Sequence, residues 1–213
     1  IIELMTLPIQ YKNTLLLGSK SPSRQMLLND AQIPFVLVGQ DADERECGWA
    51  MPLPQLVATI ARHKMEHVVL PAGTKKSDIC FVLTADTLSQ DMDGTIHGKP
   101  DDRADAIKKI QSARGGSRLS TAFCLDRRVW DGMVWRVDAR IEQIVSAEYT
   151  FVLPDEWIDI YFERSIGLQT AGAIAAEGFG AQFLRVVQGS YTTIIGLPVY
   201  EVREALQKIG FFS

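Results

Sequence analysis

Four short stretches of this 213-residue chain combine residue types that can hold an anion or activate water. Gly18-Ser19-Lys20-Ser21-Pro22-Ser23-Arg24 joins an apolar run to a helix start. Free backbone N–H groups and the helix dipole make such a junction an anion site, here with hydroxyls and two cations in one turn. Capping alone also accounts for Ser21 and Pro22, so spacing leaves both readings open. Asp86, in Thr84-Ala85-Asp86-Thr87, follows a strongly apolar run, where α/β proteins present catalytic groups. A carboxylate there binds Mg²⁺ or orients water, or simply caps a turn. Gly98-Lys99-Pro100 offers close backbone approach and a point charge for phosphate. Glu177-Gly178-Phe179-Gly180 places an acid in a glycine-rich turn, and such glycines are often only turn formers.

Other patterns are weaker. The G-x-x-x-x-G-K-[ST] spacing of a Walker A loop is absent. So is the G-x-S-x-G of a hydrolase elbow. His63 and His67 stand at i, i+4, but no H-E-x-x-H joins them and His97 is the one other histidine. That is too few for zinc, so they read as exposed helix residues. Asp91-Met92-Asp93-Gly94 begins like a calcium loop without its later ligands, and a hairpin explains it. Asp101, Asp102 and Asp105 complement a helix dipole. Trp49, Trp130, Trp135 and Trp157 are scattered and read as packing residues.

These residues need a layered scaffold, and the chain supplies one. Apolar residues are 46% and charged residues 23%, enough for a core and against global disorder. The net charge is −4, from 22 basic and 26 acidic residues, which argues against a nucleic-acid partner. No apolar run reaches the roughly 18 residues that cross a membrane. Ile1–Thr14 does not read as a signal peptide. Cys47, Cys80 and Cys124 form no C-x-x-C, and an odd number closes no disulfide framework. Reducing cytosol is the expected setting.

Short apolar runs alternate with helical stretches, the pattern of an α/β or α+β domain. We expect strands at Thr14–Gly18, Phe35–Gly39, Ile79–Thr84, Leu119–Leu125 and Ala139–Phe151. Ser21-Pro22 opens one helix. A second follows Pro54, its apolar spacing carried through Val68 and Val69. Pro100 opens a third to about Ala113, ended by Gly115-Gly116. Pro154-Asp155-Glu156 starts a fourth, and Pro198 a closing one to about Ile209. Hairpins are expected at Asp93-Gly94 and Asp131-Gly132. Phe183–Val187 and Tyr191–Ile195 read as a strand pair.

Taken in order, the four stretches resemble the Maf family of septum-formation-inhibitor proteins, from about Leu15 to Leu206. The family's S-x-S-P-x-R turn is Ser19 to Arg24, and its D-x-D-E element is Asp41-Ala42-Asp43-Glu44. Its A-x-x-K is Ala61-Arg62-His63-Lys64, its A-D-T Ala85-Asp86-Thr87 and its G-K-P Gly98-Lys99-Pro100. A late G-x-G element matches Glu177 to Gly180, and G-L-P is Gly196-Leu197-Pro198. Each motif is short, and their order makes the likeness specific.

The resemblance implies a single domain over residues 1–213: an α/β fold with a mixed central sheet flanked by helices and two closely joined lobes around a nucleotide cleft, as in Maf and ITPase-like proteins. It implies a cytoplasmic, often homodimeric nucleoside triphosphate pyrophosphatase that releases a monophosphate and pyrophosphate with Mg²⁺ or Mn²⁺. Family roles include removal of unusual nucleotides and restraint of cell division. Carried over by motif, Arg24, Lys64 and Lys99 face the phosphates, and Ser19 and Ser21 cradle one of them. Glu44 and Asp86 hold the metal, and Asp86 activates the water. Catalysis is thereby assigned to Asp86, Lys64 and Lys99. Ser23, Thr87 and Glu177 stand where two branches of the family differ. Thr87 matches a dTTP/UTP branch, Glu177 matches a 7-methyl-GTP branch, and Ser23 matches neither. A carboxylate can accept from a guanine N1–H and amino group, which leans the reading toward a modified purine. Gln25 replaces a basic residue that many members carry. The competing reading is a Maf-like nucleotide-binding regulator of cell division without turnover.

Overall fold

The computed structural model describes residues 11–213. The expectation for Ile1–Thr14 therefore falls mostly outside the described residues. Among the described residues, nine strands and six α-helices follow one another. Strands β1 (Leu15–Leu17) and β2 (Phe35–Leu37) bracket α1 (Pro22–Asp30), and β3 is Gly39–Gln40. Helix α2 (Leu53–Glu66) precedes β4 (Val68–Val69), β5 (Ile79–Asp91) and β6 (Ile96–His97). Helix α3 (Arg103–Ala113) leads into β7 (Ser117–Trp130) and β8 (Trp135–Phe151). Then come α4 (Ile158–Arg164), β9 (Leu184–Gln188), α5 (Tyr191–Ile195) and α6 (Val199–Lys208).

One seven-stranded sheet runs β2-β1-β5-β7-β8-β9, with β6 also on β5. Strand β1 is parallel to β2 and β5, and the remaining pairings are antiparallel. The fold is therefore α/β with a mixed central sheet flanked by helices. Strand β5 is buried on both faces through its middle, which is why it reads as a continuous apolar run. Leu56, Ile60 and Ala61 of α2 pack on Leu88 and Ala122 on one face. Leu27, Leu28, Val202 and Leu206 pack on Leu15, Leu17 and Leu83 on the other. Each large apolar side chain fully buried this way contributes about 1.5–3 kcal/mol. A third cluster joins Ile110 to Phe151, Leu153 and Tyr161.

Several expectations are corrected. Strand β5 does not end at Thr84 but continues to Asp91, because β7 pairs with it along its whole length, Asp86 opposite Ala122. Asp86 therefore stands inside a strand rather than after one. Strand β7 is correspondingly longer than Leu119–Leu125. The second helix stops before Val68, since the His67 N–H already closes onto His63 O and Lys64 O. Val68 and Val69, β-branched, then pair antiparallel with Gln40 and Gly39. Helix α3 begins at Arg103 because Asp102 caps it, accepting the Asp105 N–H at 2.8 Å. A 3₁₀ turn, Asp155–Trp157, precedes α4. Tyr191–Ile195 is helical, not extended. Its Gly196 cap lies at φ +124°, and Thr121 Oγ1 donates to Thr193 O, so tertiary bonding overrides β-propensity.

Candidate active site

Helix α1 is launched as its sequence dictates. Ser21 Oγ accepts the Arg24 N–H, and Pro22 fills the first turn, where a missing N–H costs nothing. That geometry turns Ser23 and Arg24 inward, and both are buried. The Arg24 guanidinium donates from Nε to Gly196 O (2.8 Å), from Nη1 to Ser19 Oγ (3.1 Å) and from Nη2 to Thr87 Oγ1 (3.0 Å). Burial lowers its pKa from the ordinary arginine value, opposed by the charges of Asp86 and Glu44. Arg24 thus ties the first turn of α1 to β5 and to the end of α5. Ser19 Oγ also accepts the Ser21 N–H at 3.3 Å.

Lys64 projects from the last turn of α2, with a side chain 9% exposed. Its Nζ lies 2.7 Å from Asp86 Oδ1 on β5 and 2.7 Å from Glu44 Oε1 in the 3₁₀ turn Glu44–Glu46. Asp43 caps that turn, and its bond to Arg45 lowers its pKa to about 2. Asp86 Oδ2 is buried and has no hydrogen-bond partner among the described residues. A buried carboxylate oxygen left this way has lone pairs open to a water, an ion or a substrate group.

Ser19, Ser21, Ser23, Arg24, Glu44, Lys64 and Asp86 line one cavity of about 610 Å³ together with Lys20, Lys99, Thr87 and Gly98. That volume suits a small-molecule ligand. Lys99 is exposed on its wall. Ser19, Ser21, Ser23, Arg24, Glu44, Lys64, Asp86, Thr87 and Lys99, all singled out in the sequence, meet here although they come from five separate segments. Glu177 does not line the cavity. It lies behind Ser23, whose Oγ donates to Glu177 Oε1 at 2.7 Å. The late glycines place it there. Gly178 has φ +56°, and a Cβ on Gly180 would lie 1.7 Å from Ala175 O.

Sequence reasoning passed over several wall residues. Trp49, read as packing, is exposed on the cavity wall with Nε1 bonded to Glu44 O at 3.2 Å. Its closeness in sequence to Asp41-Ala42-Asp43-Glu44 was the available signal. Gln40, Thr170 and Ile194 carried none. The other three tryptophans pack: Trp130 on Trp135, and Trp157 on Phe179 and Phe183. The His63 and His67 rings meet at a tilt of 56°, with centroids 4.3 Å apart. Among the described residues, no group of three or more His, Cys, Asp or Glu is arranged around a metal position. Glu44 and Asp86 still fit a magnesium-like ion. Mg²⁺ is usually bound by one or two carboxylates plus substrate phosphates, and Asp86 Oδ2 is unclaimed. The three thiols are unpaired, and burial raises Cys80 to about 11 and Cys124 to about 12. No helix among the described residues is long and apolar enough to cross a membrane.

Comparison with known proteins agrees with the motif order. Residues 14–209 match the Maf-like protein family. The chain is 32% identical over 203 residues to a protein named dTTP/UTP pyrophosphatase from Geotalea uraniireducens (strain Rf4), covering 95% of this chain and 98% of the relative. It is 33% identical to one of the same name from Dechloromonas aromatica (strain RCB), covering 92% and 98%. A third, from Acholeplasma laidlawii (strain PG-8A), is 32% identical, covering 91% and 95%.

Proposed function

This chain belongs to the Maf family, and from that premise we propose that it is a nucleoside triphosphate pyrophosphatase, a hydrolase that cleaves between the α and β phosphates. The observation that carries the reading is the Glu44–Lys64–Asp86 chain of charges beside an unpartnered Asp86 Oδ2, on the wall of a cavity that also holds Arg24 and Lys99.

Phosphoryl transfer is mainly positioning and charge stabilisation. Lys99, Lys64 and the two unengaged N–H groups of Arg24 face the triphosphate. Ser19, Ser21 and the free backbone N–H groups of the α1 start cradle one phosphate. Lys64 holds Asp86 through Oδ1, so Oδ2 is free to orient a water and take its proton as the water oxygen bonds the α phosphorus. The bond to the bridging oxygen breaks, and pyrophosphate leaves. Glu44 and Asp86, with phosphate oxygens, would hold a divalent cation, Mg²⁺ or Mn²⁺. When bound, that ion neutralises phosphate charge and polarises the reacting group.

For the base we favour a pyrimidine. Thr87 matches the dTTP/UTP pattern, and the relatives carry that name. The lean toward a modified purine rested on Glu177 as a guanine acceptor, and that carboxylate is engaged by Ser23 behind the cavity wall. A cytoplasmic setting agrees with three unpaired thiols. The homodimer that the resemblance implies is checked by light scattering.

The test is pyrophosphate release from a panel of normal and modified nucleoside triphosphates, with Mg²⁺ or Mn²⁺ and with chelator. Metal-dependent release, fastest with UTP or dTTP, is expected. Release fastest with a modified purine overturns the base. No release from folded protein overturns the enzyme and leaves the non-catalytic regulator.

A further inference from the structure

Lys109 lies on α3, outside the residues that line the cavity, yet it is one of the more buried cations of the chain. Its side chain is 11% exposed. The ammonium has three acceptors and uses its three N–H groups on them. It donates to Lys99 O at 3.1 Å and Gly98 O at 3.5 Å, and it pairs with Asp105 Oδ2 at 2.7 Å. Asp105 Oδ2 in turn accepts the Asp101 N–H at 3.0 Å, and Gly98 O accepts the Gly172 N–H at 3.1 Å. The short segment between β6 and α3 is therefore held to α3 from below, while Lys99 alone within it extends its side chain toward the cavity.

Burying a lysine beside a single carboxylate costs desolvation that an exposed helix position would avoid. The bonds to the carbonyls of Gly98 and Lys99 help offset that desolvation, and they do so by tying the ammonium to this segment's backbone. Those carbonyls belong to the residues that set where the Lys99 ammonium stands. We propose that Lys109 is a positioning residue for the triphosphate: it fixes the Gly98-Lys99 backbone so that Lys99 meets the phosphates without a further ordering cost. This rests on the assignment of Lys99 to phosphate made above. Lys109 touches neither substrate nor metal.

The test is a double-mutant cycle of Lys109→Met and Lys99→Met, read as affinity for α,β-methylene uridine triphosphate with Mg²⁺ and, in parallel, as KM and kcat. Lys109→Met in the natural background is expected to weaken binding and raise KM about five- to tenfold, with a smaller fall in kcat. In the Lys99→Met background the same change is expected to add little, because the group it positions is gone. Lys109→Arg, which keeps a cation on the carbonyls, is expected to recover most of the loss. Equal effects in both backgrounds, or no effect in either, overturn the proposal. If Lys109→Met fails to fold, Asp105→Asn loosens the same ammonium and is read in the same cycle. Binding that couples as expected in a protein without turnover would leave this inference standing and remove the enzyme reading. Failure of the natural protein to bind the analogue would remove both.

Discussion

Lys64 Nζ and Asp86 Oδ1 are 2.7 Å apart, and both side chains are less than a tenth exposed. One carboxylate oxygen is thus fixed and the other is left without a partner. A strand and a helix terminus, 22 residues apart in sequence, are held in register by this bond.

Asp86→Asn keeps the shape of the side chain and removes the proton acceptor. Lys64 retains Glu44 as counter-charge, so the fold is expected to survive with little change in thermal midpoint. Turnover is expected to fall by about 10²–10⁴-fold, the usual contribution of a positioned base. Near-normal pyrophosphate release by this variant would exclude Asp86 as the base.

Arg24→Lys preserves charge and loses the planar fork. A lysine cannot reach Gly196 O, Ser19 Oγ and Thr87 Oγ1 together. The expected cost is about 3 kcal/mol of folding stability, from hydrogen bonds to a buried charge. Urea unfolding measures it, and an unchanged midpoint would show that the three bonds are replaceable.

Asp126 has no exposed side-chain surface and accepts from Arg140 at 2.7 and 2.9 Å and from Arg128 at 2.9 Å. Arg128 Nη2 also donates to Met65 O. Asp126→Ala leaves two arginines without their anion, and the expected loss is about 3–5 kcal/mol. The surviving folded fraction should hydrolyse nucleotide normally, since Asp126 does not line the cavity. Reduced kcat at full folding would place this cluster in the catalytic machinery.

Tyr149 is 2% exposed, with its hydroxyl 2.8 Å from Ser89 Oγ, and burial raises its pKa to about 12. The unfolded value is near 10. A raised value favours the neutral form in the fold, so this contribution is fully present below pH about 10 and is lost as pH rises through about 12. The expected loss is about 3 kcal/mol, seen as a falling denaturation midpoint in alkali. Tyr149→Phe should flatten that part of the curve. A variant with the same alkaline loss as the natural protein would assign it elsewhere.

Local chemistry explains what was legible in the sequence. Ser21-Pro22 at the α1 start, Asp93-Gly94 and Asp131-Gly132 in hairpins and the α2 periodicity act within a few residues. Partners far along the chain set what was not. Asp86 lies inside β5 because β7 extends that strand, and no neighbour of Asp86 states this. Tyr191–Ile195 is rich in β-branched residues, yet the Thr193 carbonyl accepts from Thr121 and the carbonyl of the capping Gly196 accepts from Arg24. Ser23 and Glu177 were each read against the base, whereas 154 residues of chain fold to bring them together. Nothing beside Lys109 in the sequence marks it, because two of its acceptors are carbonyls ten and eleven residues away.

The bond from Arg24 to Gly196 O spans 172 residues, and Asn13 Nδ2 reaches Phe211 O across 198. A chain emerging from the ribosome makes β1 and α1 well before the partners that these bonds require. Contacts of such separation slow folding, because loop-closure entropy is lost before they form. The Ser19–Arg24 turn must wait until Gly196 has been made, so nascent chains carry a buried-to-be arginine exposed to chaperones and proteases. Loss of α6, whose Val202 and Leu206 pack in one core with Leu15, Leu27 and Leu28, would likewise disturb the α1 start that carries Arg24.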